Sequence, residues 1–245
     1  MVAGANCHFL FFDAVGTLLK PCPDVVTAYR QLGRIGGSNL SAEEIRRRFS
    51  QLYPLHFPHN SSARESSVRE ALRTSEQLER QRWLALVTDL FDDVPDPAQL
   101  FSALWDHFSR PEHWELYPDA RPLLEWLGTN QIAWGIASNF DRRLELIVSA
   151  IPELAAARLT FTSATAGWNK PAKEFYELAG KAAAEVLGTA RLELWMIGDN
   201  QALDFQAARA SGWHAIWLAR EQPSLLDSGR INSLCDLRLL SARFT

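Results

Sequence analysis

The chain is 245 residues long, 47% hydrophobic and 22% charged, which excludes a disordered or fibrous polypeptide and leaves room for a core carrying a smaller insertion. A formal net charge of −4 gives no general pull toward nucleic acid or an anionic membrane, so any anion site has to be local. Cys7, Cys22 and Cys235 are scattered without zinc-site spacing or disulfide-scaffold density, which points to a reducing cytoplasm.

The first element is the apolar run 8–12. It is too short to span a bilayer and lacks the basic flank and small-residue cleavage site of a leader, so it reads as a buried strand. It ends in Asp13-Ala14-Val15-Gly16-Thr17, the way a buried parallel strand runs into a glycine-containing loop. From 20 to 113 no strand-like alternation appears and apolar residues recur at helical spacing. Helices are expected over 24–32, 42–53, 65–91 with a break, and 97–108. Ser41 and Asp96 serve as N-caps, and Pro54 and Pro58 mark a loop.

The strand grammar then returns, over 132–137 closing on Ser138-Asn139, over 159–162, and over 194–197 closing on Gly198-Asp199. A helix from near Ala202 ends at Gly212, a C-cap glycine, and a further strand follows over 214–218. About five parallel strands alternating with helices make an α/β, Rossmann-like sheet with helices on both faces. The helical block inserted after the first strand reads as a cap over the strand ends. The expected division is a core of 1–19 and 114–245 and a cap of 20–113.

Such sheets bind ligands beyond the carboxyl ends of their strands, where Asp13, Ser138 and Asp199 fall. Asp13 and Asp199 could converge on one divalent cation, since magnesium prefers a few carboxylates with water and phosphate oxygens. Asp204 begins the next helix and could support the same ion. Lys170 could neutralise charge on a nucleophile and phosphoryl group, and Ser138 and Asn139 add donors at a helix N-terminus.

In this order, Asp13-Ala14-Val15-Gly16-Thr17, Ser138-Asn139, Lys170-Pro171 and Gly198-Asp199 with Asp204 resemble the four motifs of the haloacid dehalogenase superfamily. More narrowly, Ser138-Asn139-Phe140-Asp141-Arg142-Arg143-Leu144-Glu145, Ala166-Gly167-Trp168-Asn169-Lys170-Pro171 and Gly198-Asp199-Asn200 resemble its rhythmically-expressed-gene-2-like branch. The resemblance implies a helical-cap hydrolase in which Asp13 attacks a small phosphate monoester and forms an aspartyl-phosphate that water hydrolyses. It also implies Mg2+ held by Asp13, the Val15 backbone oxygen and Asp199 with Asp204 in support, and phosphate held by Thr17, Ser138, Asn139 and Lys170.

One position departs from that pattern. Phosphatases of the superfamily usually carry a second aspartate two residues after the nucleophile, as proton donor to the leaving oxygen, and here that residue is Val15. Losing general acid-base help costs about 10²–10⁴ in rate. Three readings follow: a slow or specialised hydrolase that uses good leaving groups or another acid, a phosphate-binding pseudoenzyme, or a 2-haloacid dehalogenase. The first is favoured, since Asp199 and Asp204 argue against a metal-free dehalogenase. A replacement donor is sought in the cap at His56 and His59. Trp83, Trp105 and Trp114 are assigned to core packing, Trp168 is singled out for its nearness to Lys170, and Arg142-Arg143 are read as solvated helix-surface charges.

Overall fold

The structure, a computed structural model, describes residues 7–57 and 69–244. Its centre is β1 (Cys7–Phe12), hydrogen-bonded on one side to β4 (Ala133–Ser138) and on the other to β6 (Leu192–Gly198), all parallel. Beyond β4 lies β5 (Thr160–Thr162); beyond β6 lie β7 (His214–Leu218) and β8 (Arg230–Ile231), giving the order β5-β4-β1-β6-β7-β8. The chain therefore builds outward from β1 in one direction and then returns to build in the other. That switch of direction opens a crevice at the carboxyl end of β1.

The unbroken apolar run of β1 follows from this central place. Leu10 and Phe12 point into one core layer, with α5 (Ala120–Thr129) and α6 (Arg143–Ala150). Phe9 and Phe11 point into the opposite layer, with α8 (Lys173–Leu187) and the short α9 (Ala207–Ala210). All four side chains are fully buried, so neither face of the strand can carry a polar residue without a partner. The short α7 (Ser163–Ala166) follows β5 directly.

Over residues 22–113 the described residues form α1 (Val25–Ile35), α2 (Ala42–His56), α3 (Glu76–Leu90) and α4 (Pro97–His107). They pack on one another around their own core of Tyr29, Ile45, Leu86, Leu90, Phe91 and Leu104. The block is entered and left through a two-stranded antiparallel ribbon of β2 (Leu19–Pro21) and β3 (Trp114–Leu116), which brings its two connections side by side. Asp24, Ser41, Ser75 and Asp96 cap the four helices by accepting from backbone N–H groups of their first turns. Ser41 and Asp96 are thus the caps expected from sequence.

Three expectations need correction, and the expected break within 65–91 takes a definite place. Pro54 lies inside α2 rather than in a loop, because in the last turn a proline forfeits one hydrogen bond near an end that already lacks partners. The turn is held by Tyr53, stacked between Phe49 at 5.5 Å and Phe57 at 4.8 Å. The break expected within 65–91 comes just before Ser75, where Arg73 forms a β-bridge to Trp168 of the core. A sixth parallel strand, β8, joins the sheet at a two-residue stretch too short for any alternation to show. Finally, the helix before Gly212 opens as a π-helix over Gln201–Gln206. Gly212 itself has a φ of 85°, as its role as a stop requires. Pro58, His59 and 65–68 lie outside the described residues. No helix among the described residues is long and apolar enough to cross a membrane.

Candidate active site at the carboxyl edge of the sheet

Asp13 leaves β1 at the crevice, where its backbone N–H donates to the Ile197 carbonyl at 2.9 Å and extends the β1–β6 ladder by one residue. Asp199 leaves β6 alongside it. The Asp199 N–H donates to the Thr17 hydroxyl oxygen at 3.1 Å, and that hydroxyl donates to Asp199 Oδ1 at 3.3 Å. The π-helical turn carries Asp204 back beneath the strand ends, where Asp204 Oδ2 accepts from the Asn200 N–H at 3.0 Å. Such turns often occur at functional sites, since the extra residue re-aims a side chain. Carboxylate oxygens of Asp13, Asp199 and Asp204 lie within 4.8 Å of one another.

Two glycines make this crowding feasible. At Gly16, with a φ of 91°, a Cβ would stand 2.3 Å from Asp199 Oδ2, and at Gly198 it would stand 2.2 Å from Asp204 Oδ2. Any side chain at either position would displace a carboxylate.

Lys170 is 1% exposed. Its ammonium donates to Asp13 Oδ1 at 2.8 Å, Asp204 Oδ1 at 2.5 Å and the Ala137 carbonyl at 3.1 Å, which uses all three of its protons. Burial alone would lower the lysine pKa, yet the charges and hydrogen bonds of Asp13 and Asp204 outweigh it and push the pKa up. Three carboxylates around one ammonium leave an excess of negative charge. Accordingly, burial and then the charges of Asp13 and Asp204 raise Asp199 to about 7. Burial raises Asp204 to about 6 against the opposing pull of Lys170. Hard oxygen donors with surplus negative charge fit a divalent cation such as Mg2+, which would relieve the repulsion.

The sequence-predicted residues thus divide by position. Asp13, Lys170, Asp199 and Asp204 meet. Ser138 is buried at the end of β4 in register with Thr162. Thr17, expected on phosphate, instead spends its hydroxyl on Asp199. Asn139, also expected on phosphate, clamps Lys170: its Oδ1 accepts from the Lys170 N–H at 2.7 Å and its Nδ2 donates to the Lys170 carbonyl at 3.0 Å. Both side chains therefore position the neighbouring charge, because a buried lysine and a crowded carboxylate each need a fixed backbone.

Val15, 37% exposed, faces a cavity of about 200 Å³ between the helical block and the core. Aromatic side chains dominate its wall, among them Tyr29, Tyr53, Trp83, Trp105, Trp114 and Phe140. The three tryptophans assigned to core packing therefore also line a cavity. Arg143, expected in solvent, lines it too: its Nε and Nη2 fork onto Asp141 at 2.8 and 2.6 Å, and its guanidinium lies 3.5 Å from the Trp105 ring centre. Glu79 is a further buried acid on the wall; burial raises its pKa against hydrogen bonding from Thr74 and the charge of Arg82. His56, sought as a proton donor, closes α2 and pairs with Asp89 at 2.9 Å, and it does not line the cavity. Trp168 is covered by Arg73 at 4.4 Å and Arg69 at 5.6 Å, which joins the helical block to the core instead of leaving a face for a ligand. Sequence periodicity could not separate Glu79, Asp141, Arg143 and Asn169 from ordinary helix and loop polar residues; only the Asn139–Arg143 and Asn169–Lys170 strings lay in recognised motifs.

Comparison with known proteins agrees with this geometry. Haloacid dehalogenase-like hydrolase domain-containing protein 3 of Bos taurus is 28% identical over 224 residues, covering 88% of this chain and 83% of the relative. Among solved structures, the putative HAD-hydrolase YfnB from Bacillus subtilis, bound to magnesium, superposes with a TM-score of 0.69 at 16% identity, covering 96% of this chain and 99% of that one. The 2-haloacid dehalogenase from Pseudomonas syringae pv. Tomato DC3000 superposes with a TM-score of 0.58 at 20% identity, covering 98% and 100%. Identities this low carry the fold and leave the choice between phosphatase and dehalogenase to the residues of the site. The haloacid dehalogenase-like hydrolase family model matches residues 9–212, and the chain belongs to that family of hydrolases.

Proposed function

We propose that the protein is a magnesium-dependent phosphatase that cleaves small phosphate monoesters through an aspartyl-phosphate on Asp13, with residues 20–113 as its cap and the reducing cytoplasm as its setting. The observation that carries the reading is the meeting of Asp13, Asp199 and Asp204 around buried Lys170. A halide-displacing aspartate needs no such surplus of negative charge beside it, whereas a cation-assisted phosphoryl transfer does.

In this reading Asp13, Asp199 and the Val15 carbonyl hold Mg2+ with Asp204 in support, and the ion supplies charge neutralisation for the incoming phosphate. The Lys170 ammonium, held by Asp13, Asp204 and the Ala137 carbonyl, orients Asp13 and places positive charge beside the phosphoryl group, with Ser138 as a further donor there. Thr17 holds Asp199 against rotation. Val15 cannot protonate a leaving oxygen, so turnover favours esters whose leaving group departs unaided. The three cysteines are unpaired, consistent with a reducing compartment.

The test is labelling of Asp13 by beryllium fluoride or in a single phosphoryl turnover. Adduct is expected with Mg2+ and is expected to vanish without it or in Asp13→Asn. Binding of Mg2+ and phosphate with no adduct would mark a pseudoenzyme, and chloride release from 2-haloacids without Mg2+ would overturn the reading in favour of a dehalogenase.

A further inference from the structure

The cavity beside Val15 is apolar over most of its wall and opens at the same strand ends as Asp13. Val15, Asn139 and Asn169 line it: Val15 stands two residues after Asp13, Asn169 directly precedes Lys170, and Asn139 is hydrogen-bonded to the Lys170 backbone. At about 200 Å³ it exceeds an apolar void of about 150 Å³ of the kind that holds one benzene ring. Its rings come from both sides: Tyr29, Tyr53, Trp83 and Trp105 from the helical block, Trp114 from the ribbon and Phe140 from the core.

One polar group in this wall is unspent. Asn169 is 1% exposed, and its Nδ2 has no hydrogen-bond partner, although it lies toward the Glu79 carboxyl. Arg143 and Asp141 satisfy each other. A buried amide donor without a partner keeps its desolvation cost, which a ligand oxygen would recover.

We propose that this cavity takes the leaving group of an aromatic phosphate monoester, its ring among the aromatic side chains and an oxygen substituent accepting from Asn169 Nδ2. The proposal rests on the phosphatase reading and gives Val15 a positive purpose. A tyrosine-like phenol ionises near pH 10, against about 16 for water, so an aryloxide departs without the missing acid. An Asp13 carboxylate oxygen bonds to phosphorus as the phosphorus–oxygen bond to the ring breaks. The electron pair stays on the aryl oxygen, which takes a proton from solvent. Water then attacks phosphorus, restoring the Asp13 carboxylate and releasing inorganic phosphate and a proton. An aspartate in place of Val15 would put a charge against the ring, whereas valine extends the apolar wall.

The experiment compares kcat/KM with Mg2+ for phenyl and naphthyl phosphates against a fluorinated alkyl phosphate of matched leaving-group acidity. The aryl esters are expected to lead by at least tenfold, mainly in KM, and Val25→Trp, which fills the cavity from the start of α1, should bring that ratio toward one. Calorimetry with phenylphosphonate and methylphosphonate reads the same preference without turnover, and the phenyl compound should bind at least tenfold tighter. Asp13 labelling with equal treatment of aryl and alkyl compounds would overturn this inference and leave the phosphatase reading standing. Absence of Asp13 labelling would end the phosphatase reading and this inference with it.

Discussion

The rim of the sheet and the cavity above it are built on opposite principles. At the rim, four charged side chains from two strand ends, a π-helical turn and a loop are packed within reach of one another, held by hydrogen bonds from Thr17, Asn139 and the backbone. In the cavity, rings from four helices and the core meet with little charge, and the charges present are paired with one another or held behind the wall. On the phosphatase reading the rim would accept any phosphoryl group, so it says little about substrate. On that reading selectivity resides in the cavity, whose cap-side rings lie outside any motif.

Because the rim is a closed charge balance, breaking it has the largest effect. Lys170→Met leaves Asp13 and Asp204 buried against each other with no cation, and the loss should be about 3–5 kcal/mol in urea unfolding without metal. A loss under about 1 kcal/mol would mean that water or relaxation already screens the cluster and that the rim is softer than its geometry. Gly16→Ala probes the rim more locally, since the new methyl would collide with Asp199 and the left-handed backbone disfavours it. Mg2+ affinity should fall by about 10–100-fold, the range for disturbing a ligand's support, as read by calorimetry. Unchanged affinity would detach Asp199 from the metal.

Val15 stands on the border between the two regions, and Val15→Asp moves that border. Turnover of alkyl phosphates should rise by about tenfold as an acid becomes available, with a smaller gain for aryl phosphates that leave unaided. Equal gains would show that the leaving group is not what Val15 selects.

The same contrast explains what the sequence made legible. Asp13 and Asp199 stand at strand ends, and Lys170 and Asp204 stand in or just after short recognisable strings, so the convergence of these four could be anticipated. Thr17 and Asn139 were placed in the right neighbourhood, but their hydrogen bonds to Asp199 and Lys170 were not foreseen, because a hydroxyl or amide that fixes a charge looks the same in sequence as one that binds phosphate. Trp83 and Trp105 recur at helical spacing whether they fill a core or line a void, so periodicity could not reveal the cavity. Arg143 is half-buried because its neighbour Asp141 fixes the guanidinium and the Trp105 ring, from a distant segment, covers it. The π-turn before Asp204 has no sequence signature, and β8 is two residues long, below the length at which alternation can be read.

The smallest effect should come from Asp199→Asn, and its sign depends on pH. In the folded, metal-free protein the Asp199 pKa stands at about 7 against an ordinary 3.8, so folding favours its protonated form. The stability this group confers is full below its unfolded pKa and is lost as pH rises through about 4 to 7. Above that window the folded protein carries the whole repulsion among Asp13, Asp199 and Asp204. Removing the charge at pH 8 should therefore raise the metal-free melting temperature by about 2–4 °C, with almost no change at pH 4. Mg2+ should reverse the ranking at pH 8, since it stabilises only the chain that retains the ligand. A variant less stable than the parent at pH 8 without metal would mean that Asp199 already has a cationic partner, and the charge imbalance inferred for the rim would be wrong.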